Sequence, residues 1–99
     1  MSDLQKKSLD MLKAAIISRV SDGYKVFLFG SHATDDALPD SDIDIGFLGN
    51  KKIDKKILTD IRSFIEESII PYKVDLVDFF GKQESFKKEA LKKIVLWKS

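Results

Sequence analysis

Phe27-Leu28-Phe29-Gly30-Ser31, followed by Ser41-Asp42-Ile43-Asp44-Ile45, decides how this 99-residue chain folds. The first run is apolar and stops abruptly at Gly-Ser. The second carries two aspartates two residues apart. Ten residues, His32 to Ser41, lie between Ser31 and Asp42. Successive side chains of a β-strand point to opposite faces, so a strand over Asp42 to Leu48 puts Asp42 and Asp44 on one face and Ile43, Ile45 and Phe47 on the other. Two unit charges about 4 Å apart at an effective dielectric near 20 repel by on the order of 4 kcal/mol. A divalent cation between two such carboxylates removes that penalty. The pattern points to a phosphate-facing Gly-Ser turn beside a metal-binding Asp-x-Asp strand.

Working outward, Tyr24 to Phe29 is β-branched and aromatic-rich and reads as a buried strand. Ahead of it, Leu9, Leu12, Ile16 and Val20 recur at helical spacing, which predicts a helix from Leu4 to about Val20. Asp3 is its expected cap, and Ser21-Asp22-Gly23 its stop, with Gly23 suited to a left-handed position. After Gly30, Ser31 is placed to cap a short helix over His32 to Asp36, and Leu38-Pro39-Asp40-Ser41 is turn chemistry. Asp54 is placed to cap a second long helix with Ile57, Leu58, Ile61, Ile65 and Ile69 on one face, ended by Pro71. Lys73 to Phe79 is a third strand interrupted by Asp75. Glu84 to Trp97 carries Phe86, Ala90, Leu91, Ile94 and Val95 at helical spacing, although Ile94 to Trp97 fits a short strand equally well. The expected architecture is a small mixed α/β (α+β) sheet covered by helices, one domain over residues 1–99.

Composition narrows the chemistry. Seventeen Lys and Arg against sixteen Asp and Glu leave a formal charge of +1, which gives no argument for nucleic-acid binding. Without cysteine, disulfides, thiolate catalysis and Cys-based zinc sites are excluded, and one histidine rules out a His-rich metal site. Neither a signal peptide nor an apolar run of membrane-spanning length is visible, so a cytoplasmic protein without a membrane partner is expected. Most of the remaining charged and aromatic residues read as ordinary surface or packing groups. Lys51, Lys52, Lys55 and Lys56 read as a solvated helix approach, and Lys87, Lys88, Lys92 and Lys93 as the outer face of the last helix. Asp78 reads as a strand-end or capping residue, and His32 as a surface or phosphate-side group. Tyr24, Tyr72 and Trp97 read as packing groups.

Gly30-Ser31 alone is a plain turn, and it lacks the signatures of the known Gly-rich phosphate loops. Its neighbours raise its value. Glycine admits close approach of a phosphate, and free N–H groups at a helix start attract anions. Asp42, Asp44 and Asp75, at or near strand ends, can converge if their strands are neighbours. Mg²⁺ prefers carboxylate oxygens and shares its shell with substrate phosphates. A pair of such ions about 3.5–4 Å apart can assist both the attacking and the leaving oxygen in transfer at phosphorus.

Taken together, Phe29-Gly30-Ser31-His32-Ala33, Pro39-Asp40-Ser41-Asp42-Ile43-Asp44-Ile45 and Pro71-Tyr72-Lys73-Val74-Asp75-Leu76-Val77-Asp78 resemble the DNA polymerase β-type nucleotidyltransferase superfamily. Within it, the chain looks like the minimal nucleotidyltransferases (MNT) that pair with HEPN-domain proteins. The resemblance implies that Asp42 and Asp44 hold two Mg²⁺ ions, and that Asp75 binds one of them and helps activate the acceptor hydroxyl. It implies that Gly30 and Ser31 grip a nucleoside triphosphate, and that AMP is transferred from ATP or another NTP with pyrophosphate leaving. Relatives often carry Arg or Lys at the positions of His32 and Thr34, and Gly at that of Asp35, so this turn has less positive charge than theirs.

With 99 residues, a second domain to hold the acceptor is not expected. A HEPN-type toxin is the implied acceptor, with this chain as antitoxin, and a homo-oligomer stays open. The alternative is a non-catalytic module that neutralises its partner by contact alone. An enzyme acting on a small-molecule hydroxyl is a third possibility.

Overall fold

In a computed structural model of the chain, residues 3–33 and 41–99 are described. The order of elements is α1 (Asp3–Ile17), β1 (Tyr24–Phe29), a 3₁₀ turn (Gly30–Ala33), β2 (Ile43–Gly49), α2 (Lys55–Glu67), β3 (Val74–Asp78), α3 (Glu84–Ala90) and β4 (Val95–Lys98). The strands form one sheet in the order β3-β2-β1-β4. β1 is antiparallel to both β2 and β4, and β2 is parallel to β3 with α2 as the crossover. The sheet is therefore mixed, as the sequence predicts.

Alternation along the strands separates the two faces of the sheet. Val26 and Leu28 from β1 and Ile43, Ile45 and Phe47 from β2 are buried in one core with Leu9, Leu12 and Ile16 of α1 and Ile61 of α2. The opposite face carries Phe27, Phe29, Asp44, Gly46 and Asp75. Gly46 lies so close to the rings of Phe27 and Phe79 that any Cβ there would collide with both. Phe79 packs edge-on against Phe27 and Phe29, at centroid distances of 5.0 and 5.2 Å, and Phe86 of α3 reaches it at 5.2 Å.

Local chemistry explains most element ends. The Asp54 carboxylate accepts the Lys56 N–H at 2.8 Å, the cap the sequence predicts. Helix α2 ends at Glu67 rather than at Pro71, because Ser68 donates to the Ile65 carbonyl and accepts the Ile70 N–H; Ile69, expected on the apolar face, lies beyond the helix and is 77% exposed. Asp78 accepts the N–H groups of Ile53 at 3.1 Å and Phe80 at 3.0 Å, the capping role expected of it. Tyr24 is buried, with its hydroxyl donating to the Lys52 carbonyl. Tyr72 and Trp97 pack against the core.

Several further expectations are revised. Helix α1 stops at Ile17, where Ser18 Oγ and the Arg19 guanidinium both donate to the Ala15 carbonyl. Val20 is buried beyond the helix end, and Gly23 does not take the left-handed conformation, which belongs to Gly30 and Gly81. Strand β2 begins at Ile43, with Asp42 just ahead of it. The last helix ends at Ala90 and the chain turns into β4, because β1 would otherwise have one unpaired edge; Leu28 faces Val95 and Phe27 faces Leu96 across the new ladder. The short helix expected over His32 to Asp36 is a 3₁₀ turn ending at Ala33. Its remainder, and most of the turn expected over Leu38 to Ser41, lies outside the described residues. Among the described residues no helix is long and apolar enough to cross a membrane.

Candidate active site

The site is built on the sheet face turned away from α1 and α2. Asp44 is half-buried in β2, between Phe29 of β1 and Asp75 of β3, its direct partners in the two ladders. The parallel register of β2 and β3 thus does what spacing in the sequence could only suggest: it sets two aspartates side by side. Asp75 is also half-buried, and Asp42 is exposed.

Gly30 closes this arrangement from the end of β1. Its φ of 74° lies in the left-handed region, which favours glycine. A Cβ at this position would run into the Asp44 carboxylate. Gly30 is therefore required twice, by backbone conformation and by the carboxylate packed on it. Ser31 contributes backbone to the same 3₁₀ turn.

Electrostatics follow from this crowding. Burial pushes the Asp44 carboxyl above its ordinary value of 3.8; repulsion from Asp75 and Asp42 pushes the same way, and His32 opposes them. A hydrogen bond between the Asp44 and Asp75 side chains also favours the protonated form. A bound cation would act in the opposite direction, favouring the ionised pair. Among the described residues no three acidic or histidine side chains are gathered closely enough to cage a metal ion alone. Mg²⁺ commonly uses only one or two carboxylates and completes its shell with water and substrate phosphates. The Asp44–Asp75 pair, all oxygen and crowded with negative charge, fits that half-site.

His32 was expected at the surface or beside phosphate, and the structure differs. It is 5% exposed, and its Nε2 lies 3.2 Å from the Ser41 carbonyl. A carbonyl only accepts, so Nε2 carries the proton and donates it. The ring thereby ties the Gly30 turn to the residue just before Asp42. Nothing in a lone histidine after Gly-Ser announces this tether.

Two further residues were misplaced by the helical reading of the C-terminal segment. With α3 ending at Ala90, Lys92 and Lys93 lie in the following turn rather than on a helix. Together with Phe29, Gly30, Phe86 and Glu89 they line a cleft of about 480 Å³. Lys51, Lys52, Lys55 and Lys56 are exposed, as expected.

Comparison with known proteins agrees with this architecture. The chain is 28% identical over 92 residues to the probable protein adenylyltransferase MntA of Haemophilus influenzae, covering 93% of this chain and 79% of that protein. It is similar in fold to a chain of a toxin–antitoxin structure with AMP-PNP (TM-score 0.67, 20% identity, 92% of this chain and 70% of that one). It is also similar to a chain of the complex of tri-AMPylated Shewanella oneidensis HEPN toxin with MNT antitoxin (TM-score 0.58, 18% identity, 95% and 71%). Residues 14–99 match the family described as Polymerase beta, Nucleotidyltransferase. The carboxylate-bearing sheet face thus sits in a chain that belongs to the polymerase β nucleotidyltransferase family.

Proposed function

We propose that the chain is a Mg²⁺-dependent nucleotidyltransferase that moves AMP from ATP to a hydroxyl of a HEPN-domain partner, as the antitoxin of a toxin–antitoxin pair. The observation that carries this reading is the ladder pairing of Asp44 with Asp75, pressed against a left-handed Gly30, in a chain of this family. The likeness to a protein adenylyltransferase, and to antitoxins crystallised with their toxins, supports the choice of donor and acceptor.

In this reading the acceptor hydroxyl oxygen forms a bond to the α-phosphorus of ATP. The bond from that phosphorus to the bridging oxygen breaks, and pyrophosphate leaves with the electron pair. Asp44 and Asp75, with Asp42 exposed just ahead of β2, would hold Mg²⁺, and the ion would supply charge neutralisation for the phosphates and the attacking oxygen. Gly30 and Ser31 present backbone to the phosphates. Asp75, on the edge strand β3, would take the hydroxyl proton. His32 keeps the turn and the Asp42 segment in register.

The test is labelled transfer to a HEPN-domain protein from the same genome. With Mg²⁺, label in the α-phosphate of ATP should become covalently attached to that partner, and label in the γ-phosphate should not. Asp42→Asn and Asp44→Asn should each abolish the attachment. Equal labelling by these variants would overturn the roles given to the carboxylates. Neutralisation of the partner without any labelling would favour the contact-only module instead.

A further inference from the structure

We propose that Lys92 and Lys93, in the turn between α3 and β4, receive the polyphosphate of the nucleotide and so supply the cationic half of the site. This inference rests on the nucleotidyltransferase reading above. A nucleoside triphosphate carries several negative charges and needs cations beyond those at its α-phosphate. The stretch from Gly30 to Asp44 contains no Lys or Arg, and five aspartates. Its single histidine is buried and engaged with the Ser41 carbonyl. Any cation that the protein itself adds to the metal's charge therefore comes from elsewhere in the fold.

The cleft that opens beside Gly30 contains it. Lys92 and Lys93 line this space with Gly30, while Phe29 and Phe86 form an apolar wall. At about 480 Å³ the cleft falls within the 300–1,000 Å³ range typical of small-molecule sites. The ammonium of Lys92 pairs with Glu89 at 3.0 Å, but the two side chains are 62% and 76% exposed. So solvated a pair is weak, and a polyphosphate can displace the Glu89 carboxylate from it. Glu89 then acts as a placeholder that competes with the ligand. The two lysines reach the cleft because the helix stops at Ala90; a continuing helix would not have brought both into this turn.

The experiment measures binding of Mg-ATP and of inorganic tripolyphosphate with Mg²⁺ by calorimetry, on the whole chain. The double substitution Lys92→Ala/Lys93→Ala should weaken both ligands by about tenfold or more, as expected for losing charge-assisted hydrogen bonds. Lys92→Arg/Lys93→Arg should retain binding, and Glu89→Gln should tighten it. Lys55→Ala/Lys56→Ala, which removes the same net charge from exposed positions on α2, should leave affinity within about twofold. Matching melting curves for the four variants and the native protein exclude a folding defect. Native-like affinity in the Lys92/Lys93 alanine variant, or an equal loss in the α2 control, overturns the inference while leaving the nucleotidyltransferase reading standing. Failure of the native chain to bind either ligand overturns both.

Discussion

Asp44 shows how a functional demand sets one residue against the stability of its own fold. Its carboxyl is pushed above the ordinary 3.8 by burial first, then by Asp75 and Asp42. Because the folded state binds its proton more tightly than the unfolded chain does, the folded state takes up protons just above pH 3.8. Stability from this group therefore falls as pH rises through that window, and the penalty is fully present at neutral pH. In EDTA, Asp44→Asn should raise the melting temperature at pH 7, and the gain should shrink as the pH is lowered towards 3.8. A melting temperature equal to or below that of the native protein at pH 7 would show that the crowding is absent. The same substitution should abolish AMP transfer, so the variant is expected to be the more stable and the inactive protein. Much of this was legible from Asp42-Ile43-Asp44 and the solitary Asp75, because period-two alternation fixes which side chains share a face. The inward turn of His32 was not, since it depends on where Ser41 comes to lie.

Among the elements, those defined by local chemistry were readable and those defined by distant pairing were not. Asp54 caps α2 as its sequence predicts, but the helix ends at Glu67, ahead of Pro71, and Ile69 falls outside it. Ile94 to Trp97 satisfies either a helical or a strand pattern, and only the open edge of β1 decides it. The positions of Lys92 and Lys93 follow from that decision, which is why their place beside Gly30 was hidden. The aromatic layer behind the cleft is another contact between distant segments. Phe79, just after β3, is fully buried, donates its N–H to the Phe47 carbonyl at 2.8 Å, and meets Phe27, Phe29 and Phe86. Phe79→Ala should lower unfolding free energy by about 3–5 kcal/mol, the usual loss for a buried ring. Phe86→Ala, at a position 40% exposed, should lose distinctly less. Chemical denaturation of the two variants checks this, and equal losses would mean that the layer does not depend on Phe79.

At the scale of the whole molecule, the sheet is packed asymmetrically. Among the described residues, helices α1 and α2 bury one face, and the other carries the aromatic layer and α3, a seven-residue helix with no buried residue. The carboxylates stand on this lightly covered side, so ligands there add contacts that the fold does not make for itself. A ligand that binds only the folded state stabilises it by mass action, by about 2.7 kcal/mol at one hundred times its dissociation constant. In a domain of this size each kcal/mol moves the melting temperature by about 4–8 °C. Saturating Mg²⁺ with a non-hydrolysable ATP analogue should therefore raise the melting temperature by roughly 10–20 °C. The analogue without Mg²⁺ should give much less, because the phosphates would then meet Asp44 and Asp75 with no cation between them. Asp44→Asn sharpens the measurement, since it should start from a higher melting temperature and gain little on adding both ligands. Calorimetric scans of the two proteins, each with and without the ligands, separate these opposed effects. A full ligand-dependent shift in Asp44→Asn would place the nucleotide elsewhere, whereas loss of that shift in a variant that is more stable when bare would locate both effects at the same carboxylate.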